Sequence, residues 1–412
     1  MTDFYQSFRN EIAAGGAVDD GGESSTPQGR IIGVVMLAGL VVLAFVSPWT
    51  FVFVIGLLVS VFLHEVGHFV TARRTGMKAT QFFMGFGPRV FSFRRGETEY
   101  GLRALPLGAF VRIIGMNNLD EVDEADEPRA YRSKSYPRRL LVITAGSIMH
   151  MIIAFVLFAG VYVLHGGQYR NGQAVVLNTL DPSPAFTAGI TPGDEIISID
   201  GVEVGSYDSI VKQISRHTPG DTMDVAFLEN GTLKKVTVTL AENPTVPGRG
   251  FLGVFADDWE YRKLNPFVAA TRSVGDIGAT ARDSFTGMFT VLNPVNSWQQ
   301  VTDKDAPVEK RPTTVVGMSQ VGGQVGRDYG LSGILRLLAY VNVFVGVFNM
   351  LPLLPFDGGH AAIATYERIR SRGGRVYRAD IGKMVPVATA VVGLLLILFV
   401  TGLYLDITRP IG

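Results

Sequence analysis

The sequence predicts an α-helical polytopic membrane protein with a β-rich insert and a small inserted αβ domain, and three observations carry that expectation. Apolar residues make up 47% of the 412 residues and the mean hydropathy is positive, at +0.26. Five apolar runs each approach the roughly 20 residues that cross a hydrocarbon core. Between the third and fourth runs the pattern changes to short alternating segments separated by Gly, Asn and Asp, which is the signature of strands and turns.

Residues 1–29 are polar, rich in Gly and Ser, and carry Asp19, Asp20 and Glu23. Such a composition cannot bury enough surface to order itself and predicts a flexible tail. The apolar runs follow at 31–47, 49–71, 140–164, 331–352 and 384–405. The Ser47-Pro48 break reads either as a turn between two spans or as a kink in one long element. No basic segment near the start and no small-residue cleavage site indicate a secretory signal peptide. Lys plus Arg equals Asp plus Glu at 37 each, which excludes a global field for nucleic acid. The chain has no cysteine, so disulfides, thiolate ligands and cysteine nucleophiles are excluded and His, Asp and Glu remain as metal ligands.

Orientation follows from the basic residues. Arg73, Arg74, Arg94, Arg95, Arg132, Lys134, Arg138 and Arg139 lie between the second and third spans, and Arg368, Arg370, Arg372, Arg375, Arg378 and Lys383 between the fourth and fifth. The positive-inside rule places both loops, and the N-terminus, in the cytoplasm. The stretch 165–330 and the C-terminus are then extracytoplasmic.

That outer stretch contains a small domain, expected over 172–242. Ala174 to Leu177 reads as a strand, Ser183 to Ala188 as a short helix, Gly189 to Gly201 as turn, strand, turn, and Tyr207 to Arg216 as a helix. Asn230-Gly231 is a hairpin turn between two alternating segments. Downstream, Phe267, Ala270, Val274, Ile277, Ala281, Phe285 and Met288 recur at helical spacing, predicting amphipathic helices over 263–293.

The chemistry is carried by His64-Glu65-Val66-Gly67-His68 at the cytoplasmic end of the second span. Positions i and i+4 share a helix face, so both imidazoles reach one ion while the glutamate holds and deprotonates a water. Ionisable groups at membrane depth are costly and mark function. The bland alternative is a pair of interface histidines satisfied by backbone carbonyls. A catalytic zinc takes a third protein ligand. His150, His165 and His217 are candidates by residue type, with His217 on the wrong side. The favoured candidate is Asp357, in the segment Asn349 to His360. There Pro352 and Pro355 force the backbone to unwind, and Gly358 and Gly359 permit close approach to a metal. Capping the helix that follows is the alternative role for Asp357.

The two motifs, on separate spans with a domain inserted between them, resemble the site-2 protease family of intramembrane zinc metalloproteases, in its bacterial regulator-of-sigma-E protease form. The resemblance extends from about Trp49 to the end. It implies a four-span protease core plus one extra N-terminal span, and one Zn2+ held by His64, His68 and Asp357. It also implies that Glu65 is the general base and that Asn349 contacts the substrate or the reacting carbonyl. The run Gly189 to Gly201 resembles a PDZ domain in the permuted form of bacterial proteases, which binds peptides at a sheet edge. Residues 80–115, with Phe82 to Pro88 and Leu105 to Val111 as strands, resemble the family's membrane-associated β-hairpin. Gly108, Ala109 and Phe110 are expected to contact the unwound substrate.

The implied substrate is a single-span membrane protein, an anti-sigma factor trimmed outside the bilayer, with a peptide or trimmed ectodomain at the PDZ-like domain. The sequence departs from the family pattern in three places. The second proline falls at Pro355, one position late. Ala109 stands where a second glycine is usual. The span 31–47 has no family counterpart. The contrasting expectation is a non-catalytic membrane PDZ scaffold, whose structural metal would be closed by a fourth ligand, His360 being the nearby candidate.

Overall fold

The computed structural model describes residues 25–116, 121–303, 310–371 and 376–410. Most of the expected tail, and Arg372 and Arg375 of the second basic loop, lie outside the described residues. The chain divides into two compact units, Met1–Val161 with Pro266–Gly412, and Tyr162–Asn265.

In the first unit, helix α1 spans Pro27–Val46 and α2 spans Pro48–Arg74. The helix begins inside the segment expected to be tail, because Thr26 caps it: its hydroxyl accepts from the Gly29 amide at 3.0 Å, and Pro27 supplies a pre-set φ at the first position. Ser47 leaves helical geometry, with φ −144° and ψ 80°, so the break separates two helices rather than kinking one. Helix α3 (Tyr136–Leu164) supplies the third apolar run. Among the described residues five helices are long and apolar enough to cross a membrane, the other two lying in the C-terminal part of the unit.

Between α2 and α3, strands β1 (Ala79–Arg95) and β2 (Thr98–Ile113) form a hairpin bent back on itself. Phe82 pairs with both Val111 and Tyr100, while Phe93 pairs with Tyr100 from the other side. The sheet therefore runs in the order 105–113, 79–86, 98–105, 89–95. Residues 99–104, expected to separate two strands, belong to a continuous β2. The bend in β1 needs Gly85 and Gly87, whose φ values of 90° and 78° a side chain rarely adopts. Phe83, fully buried, stacks on Phe110 at 5.6 Å and holds the layers together.

Helix α6 (Pro266–Val291) runs unbroken through its glycines and is followed by α7 (Pro294–Thr302). Helix α8 (Val315–Asn349) begins 16 residues before the expected span and is interrupted at Gly330, where φ is 63° and ψ −154°. Its first piece packs on the start of α2, with Gly326 against Trp49 and Gly322 against Phe53. Helices α9 (Asp357–Arg370) and α10 (Val385–Thr408) complete the unit.

The second unit is built on one antiparallel sheet, with β3 at Gly167–Thr179, β4 at Glu195–Ile199, β5 at Val202–Glu203, β6 at Thr222–Glu229, β7 at Thr232–Thr239 and β10 at Val254–Arg262. The short strands β8 (Ala241–Glu242) and β9 (Gly250–Phe251) pair with each other. The main order is β10-β3-β4-β6-β7, with β5 on β4. Alternation places Met223, Val225 and Phe227 of β6 on the inner face. The helices α4 (Pro184–Thr187) and α5 (Tyr207–Ile214) add Ala185 and Ile210 to the same core. Full burial of each large side chain here stabilises by about 1.5–3 kcal/mol. The unit is longer than the expected 172–242, because β10 pairs with β3 and closes the sheet beyond that limit.

Candidate metal centre

His64 and His68 lie one turn apart on α2 and are both buried. The His68 Nδ1 atom donates to the Val142 carbonyl of α3 at 2.8 Å, which leaves Nε2 as a bare lone pair. Helix α3 comes close enough to do this because the contact is lined with glycine. A Cβ at Gly67 would stand 2.7 Å from the Ala145 carbonyl, and one at Gly146 would stand 2.3 Å from His64 Cε1 and 2.4 Å from His68 Nε2.

Asp357 arrives from the other side. Helix α8 ends at Asn349, and the prolines keep Met350 to Phe356 out of the helix, with Leu354 anchored by burial against Ala388 of α10. The turn returns on itself so closely that a Cβ at Gly358 would stand 2.3 Å from the Leu351 carbonyl. Asp357 is the first residue of α9 and makes no capping hydrogen bond of its own, so the alternative role considered for it does not describe this geometry.

Three donor atoms converge. His64 Nε2 and His68 Nε2 are 3.1 Å apart, and Asp357 Oδ2 lies 3.5 Å and 3.2 Å from them. A tetrahedral shell at about 2.0–2.1 Å from zinc has edges of roughly 3.3–3.4 Å, which these separations match. The Asp357 Oδ2 atom is also buried with no hydrogen-bond donor. The His68 lone pair and a carboxylate oxygen without a hydrogen-bond partner repel one another in this buried spot unless a cation joins them, with His64 Nε2 as its third donor. The donor set therefore fits a divalent zinc ion. Among the described residues it is the one group of three or more His, Cys, Asp or Glu placed to hold a metal.

Glu65 lies beside the cluster, 3.9 Å from His64 Nε2, and its carboxylate accepts from the Val111 amide of β2. Gly108, Ala109 and Phe110 precede that point on the outer arm of β2, where Ala109 pairs with Met84 and Phe110 with Phe83. Among the described residues no strand pairs with the other side of this arm. Asn349 ends α8, half-buried. His360 is buried on the first turn of α9 but is not one of the three converging donors. His165 is exposed, and His217 pairs with Asp200 at 3.1 Å in the second unit; neither is one of the three converging donors.

Sequence reasoning passed over a network behind the ligands. The His150 ring stands 4.9 Å from that of His64. Its Nδ1 meets Asn342 Oδ1 at 2.8 Å, and Asn342 Nδ2 donates to Ser60 Oγ at 3.0 Å and to the Leu338 carbonyl at 2.8 Å. A carbonyl only accepts, so the amide nitrogen faces Leu338 and the proton on His150 sits at Nδ1. Close packing again makes this reachable: a Cβ at Gly346 of α8 would stand 3.1 Å from His150 Cβ. The signal available beforehand was the presence of single polar residues in three apolar spans, each of them costly there without a partner.

The model of peptidase family M50 matches residues 52–393. The zinc metalloprotease Rip1 of Mycolicibacterium smegmatis is 32% identical over 400 residues, covering 87% of this chain and 97% of the relative. Its namesake in Mycobacterium tuberculosis is 31% identical over 397 residues, with the same coverage. Among solved structures, the PDZ domain of an SdrC-like protein from Listeria monocytogenes aligns with 21% of this chain and 88% of its own length, at 21% identity and a TM-score of 0.19.

Proposed function

The chain belongs to peptidase family M50, the site-2 proteases, and is a zinc metalloprotease; from that premise we propose that it cuts single-span membrane proteins at the centre formed by His64, His68 and Asp357. The carrying observation is the convergence of two imidazole nitrogens and one buried carboxylate oxygen without a hydrogen-bond partner beside Glu65. His64, His68 and Asp357 would hold the zinc ion, which would supply Lewis acidity toward the scissile carbonyl and a water. Glu65 takes the proton from that water and passes it to the leaving amine. Asn349, at the end of α8 on the same loop as Asp357, contacts the substrate or its reacting carbonyl.

A peptide bond locked in a helix is a poor substrate, because its carbonyl is engaged with the amide four residues on. The free side of β2 along Gly108, Ala109 and Phe110 offers an unwound segment replacement hydrogen bonds. That edge leads to Val111, where Glu65 is seated, so a chain laid along it arrives at the base.

The basic loops support a cytoplasmic N-terminus and cytoplasmic catalytic motifs, with the second unit and the C-terminus outside. We read the second unit as PDZ-like. Between α5 and residues 250–254 it carries a groove of about 170 Å³ lined by Val211, Ile214, Leu252 and Val254, a size and chemistry suited to a peptide end. Within the single-span class, an anti-sigma factor trimmed outside the membrane is the substrate that the family resemblance suggests.

The scaffold reading requires a fourth protein ligand, and among the described residues no such group of four is present. The test is Glu65→Gln in the full chain, assayed on a tagged single-span substrate with zinc content measured in parallel. Lost cleavage with retained zinc is expected; full turnover would end the assignment of the base.

A further inference from the structure

We propose that α1 is a positioning element of the substrate-binding apparatus: seated on one edge of the hairpin sheet, it fixes the opposite edge as the one to which an extended substrate adds. The proposal rests on the reading, given above, that residues 105–110 receive the substrate. Helix α1 lies outside the span matched by the family model, which begins at residue 52.

The seat is built from backbone. The Thr26 amide donates to the Arg89 carbonyl at 3.0 Å, and the Thr26 hydroxyl donates to the same oxygen at 3.3 Å. A Cβ at Gly29 would stand 2.0 Å from that oxygen, and one at Gly33 would stand 2.9 Å from each Val90 methyl. Gly29 and Gly33 share a helix face, so the helix lies flat on the strand, in the manner of small-residue contacts between membrane helices. Elsewhere α1 exposes Val34, Val35, Val41, Val42 and Phe45, a surface suited to lipid.

Its backbone seat, at Arg89 and Val90, is on the outermost arm, 89–95, which is one of the two edges of the bent sheet, and the helix also lies near β2. A sheet with two free edges offers an incoming chain two places to pair. With α1 engaging Arg89 where the arm leaves the bend, the free edge that leads to Glu65 is the other one. The two edges are joined by contacts. Arg89 pairs with Glu99 at 3.0 Å and lies 5.6 Å over the Phe83 ring; Phe83 stacks on Phe110, and Arg103 lies over both rings at 5.0 Å and 5.4 Å. Phe110 is on the open edge. A shift of Arg89 thus reaches the substrate edge through packed groups rather than across empty space.

The test uses the full chain in proteoliposomes with a tagged single-span substrate. Gly29→Leu removes the seat and is expected to raise KM about tenfold with kcat little changed and zinc content unaltered, the pattern of lost binding rather than lost chemistry. Should that variant fail to fold, Thr26→Val is expected to raise KM in the same sense and Thr26→Ser to restore it. A Gly33→Cys, Val90→Cys pair reports the docked state. An ideal Cβ at Gly33 lies 3.5 Å from Val90 Cβ, within reach of a disulfide, and the natural chain has no cysteine to compete. The cross-linked enzyme is expected to keep its activity.

An inactive cross-linked enzyme overturns the proposal. So does an unchanged KM in both seat variants while Ala109→Pro, which bends and blunts the open edge, abolishes cleavage. If Ala109→Pro leaves cleavage intact, the edge reading itself fails and the proposal with it.

Discussion

Asp406 and Asp357 both belong to the first unit, and their carboxylates are satisfied in different ways. Asp406, in the last turn of α10, is fully buried and accepts from Arg311 Nη2 at 2.7 Å, the Thr314 amide at 2.8 Å, the Thr314 hydroxyl at 2.7 Å and the Gly317 amide at 3.1 Å. Its carboxylate caps the start of α8, where the helix dipole favours negative charge. Asp357 faces two imidazoles, and its Oδ2 has no donor. The first acid is complete within the protein; the second is complete only with a cation. In a medium that cannot solvate charge, a satisfied carboxylate fastens helices together and an unsatisfied one is a ligand.

The strongest way to break this contrast is Asp357→Ala, which is expected to release zinc and bring cleavage to background while the fold survives. Zinc content and circular dichroism check it; a variant that keeps its zinc would remove Asp357 from the ligand set. Asp406→Ala is expected to do the reverse. It leaves Arg311 buried without its partner and costs about 3–5 kcal/mol of stability, with zinc retained in the molecules that remain folded. Denaturation in detergent reads the first effect and metal analysis the second.

His150→Phe sharpens the contrast from the other side. It keeps the bulk against His64, which His150 meets by ring contact alone, but cuts the link to Asn342 and Ser60, and is expected to weaken zinc affinity measurably in chelator competition. An unchanged affinity would make the network a packing feature only. The smallest effect belongs to a carboxylate in water. Glu127 is held down to about 2 by hydrogen bonds from Arg132 and then Ser133. Since its folded value is depressed, its contribution is complete above the ordinary value of 4.5 and is lost as pH falls toward about 2. Being exposed, it adds only about 0–1 kcal/mol. Glu127→Gln should flatten stability across that acid window and leave neutral stability almost unmoved.

What could be read beforehand followed from local rules. His64 and His68 declare themselves by spacing, since a helix puts i and i+4 together whatever surrounds it. Asp357 was readable because Pro352, Pro355, Gly358 and Gly359 announce a fixed, unwound loop. The Ser60, His150 and Asn342 network was not, because its members sit on three separate helices and no linear spacing links them. The doubled pairing of Phe82 was equally hidden: alternation tells which side a residue faces, not which of two arms it meets. Strand β10 escaped because Asp257 and Asp258 break the apolar alternation after Ala256, and the early start of α8 because Arg327 and Asp328 interrupt its hydropathy. The start of α1 depended on a cap at Thr26 that a Ser- and Gly-rich surround conceals.

Gly67, Gly146 and Gly346 leave no clearance between the helices that carry the histidines. At position 146 a single added methyl would collide with both imidazoles at once. Mutational scans should therefore find sites of near-zero tolerance that never meet a substrate and carry no functional group. Drift in this part of the chain is restricted not by what the residues do but by the atoms they lack.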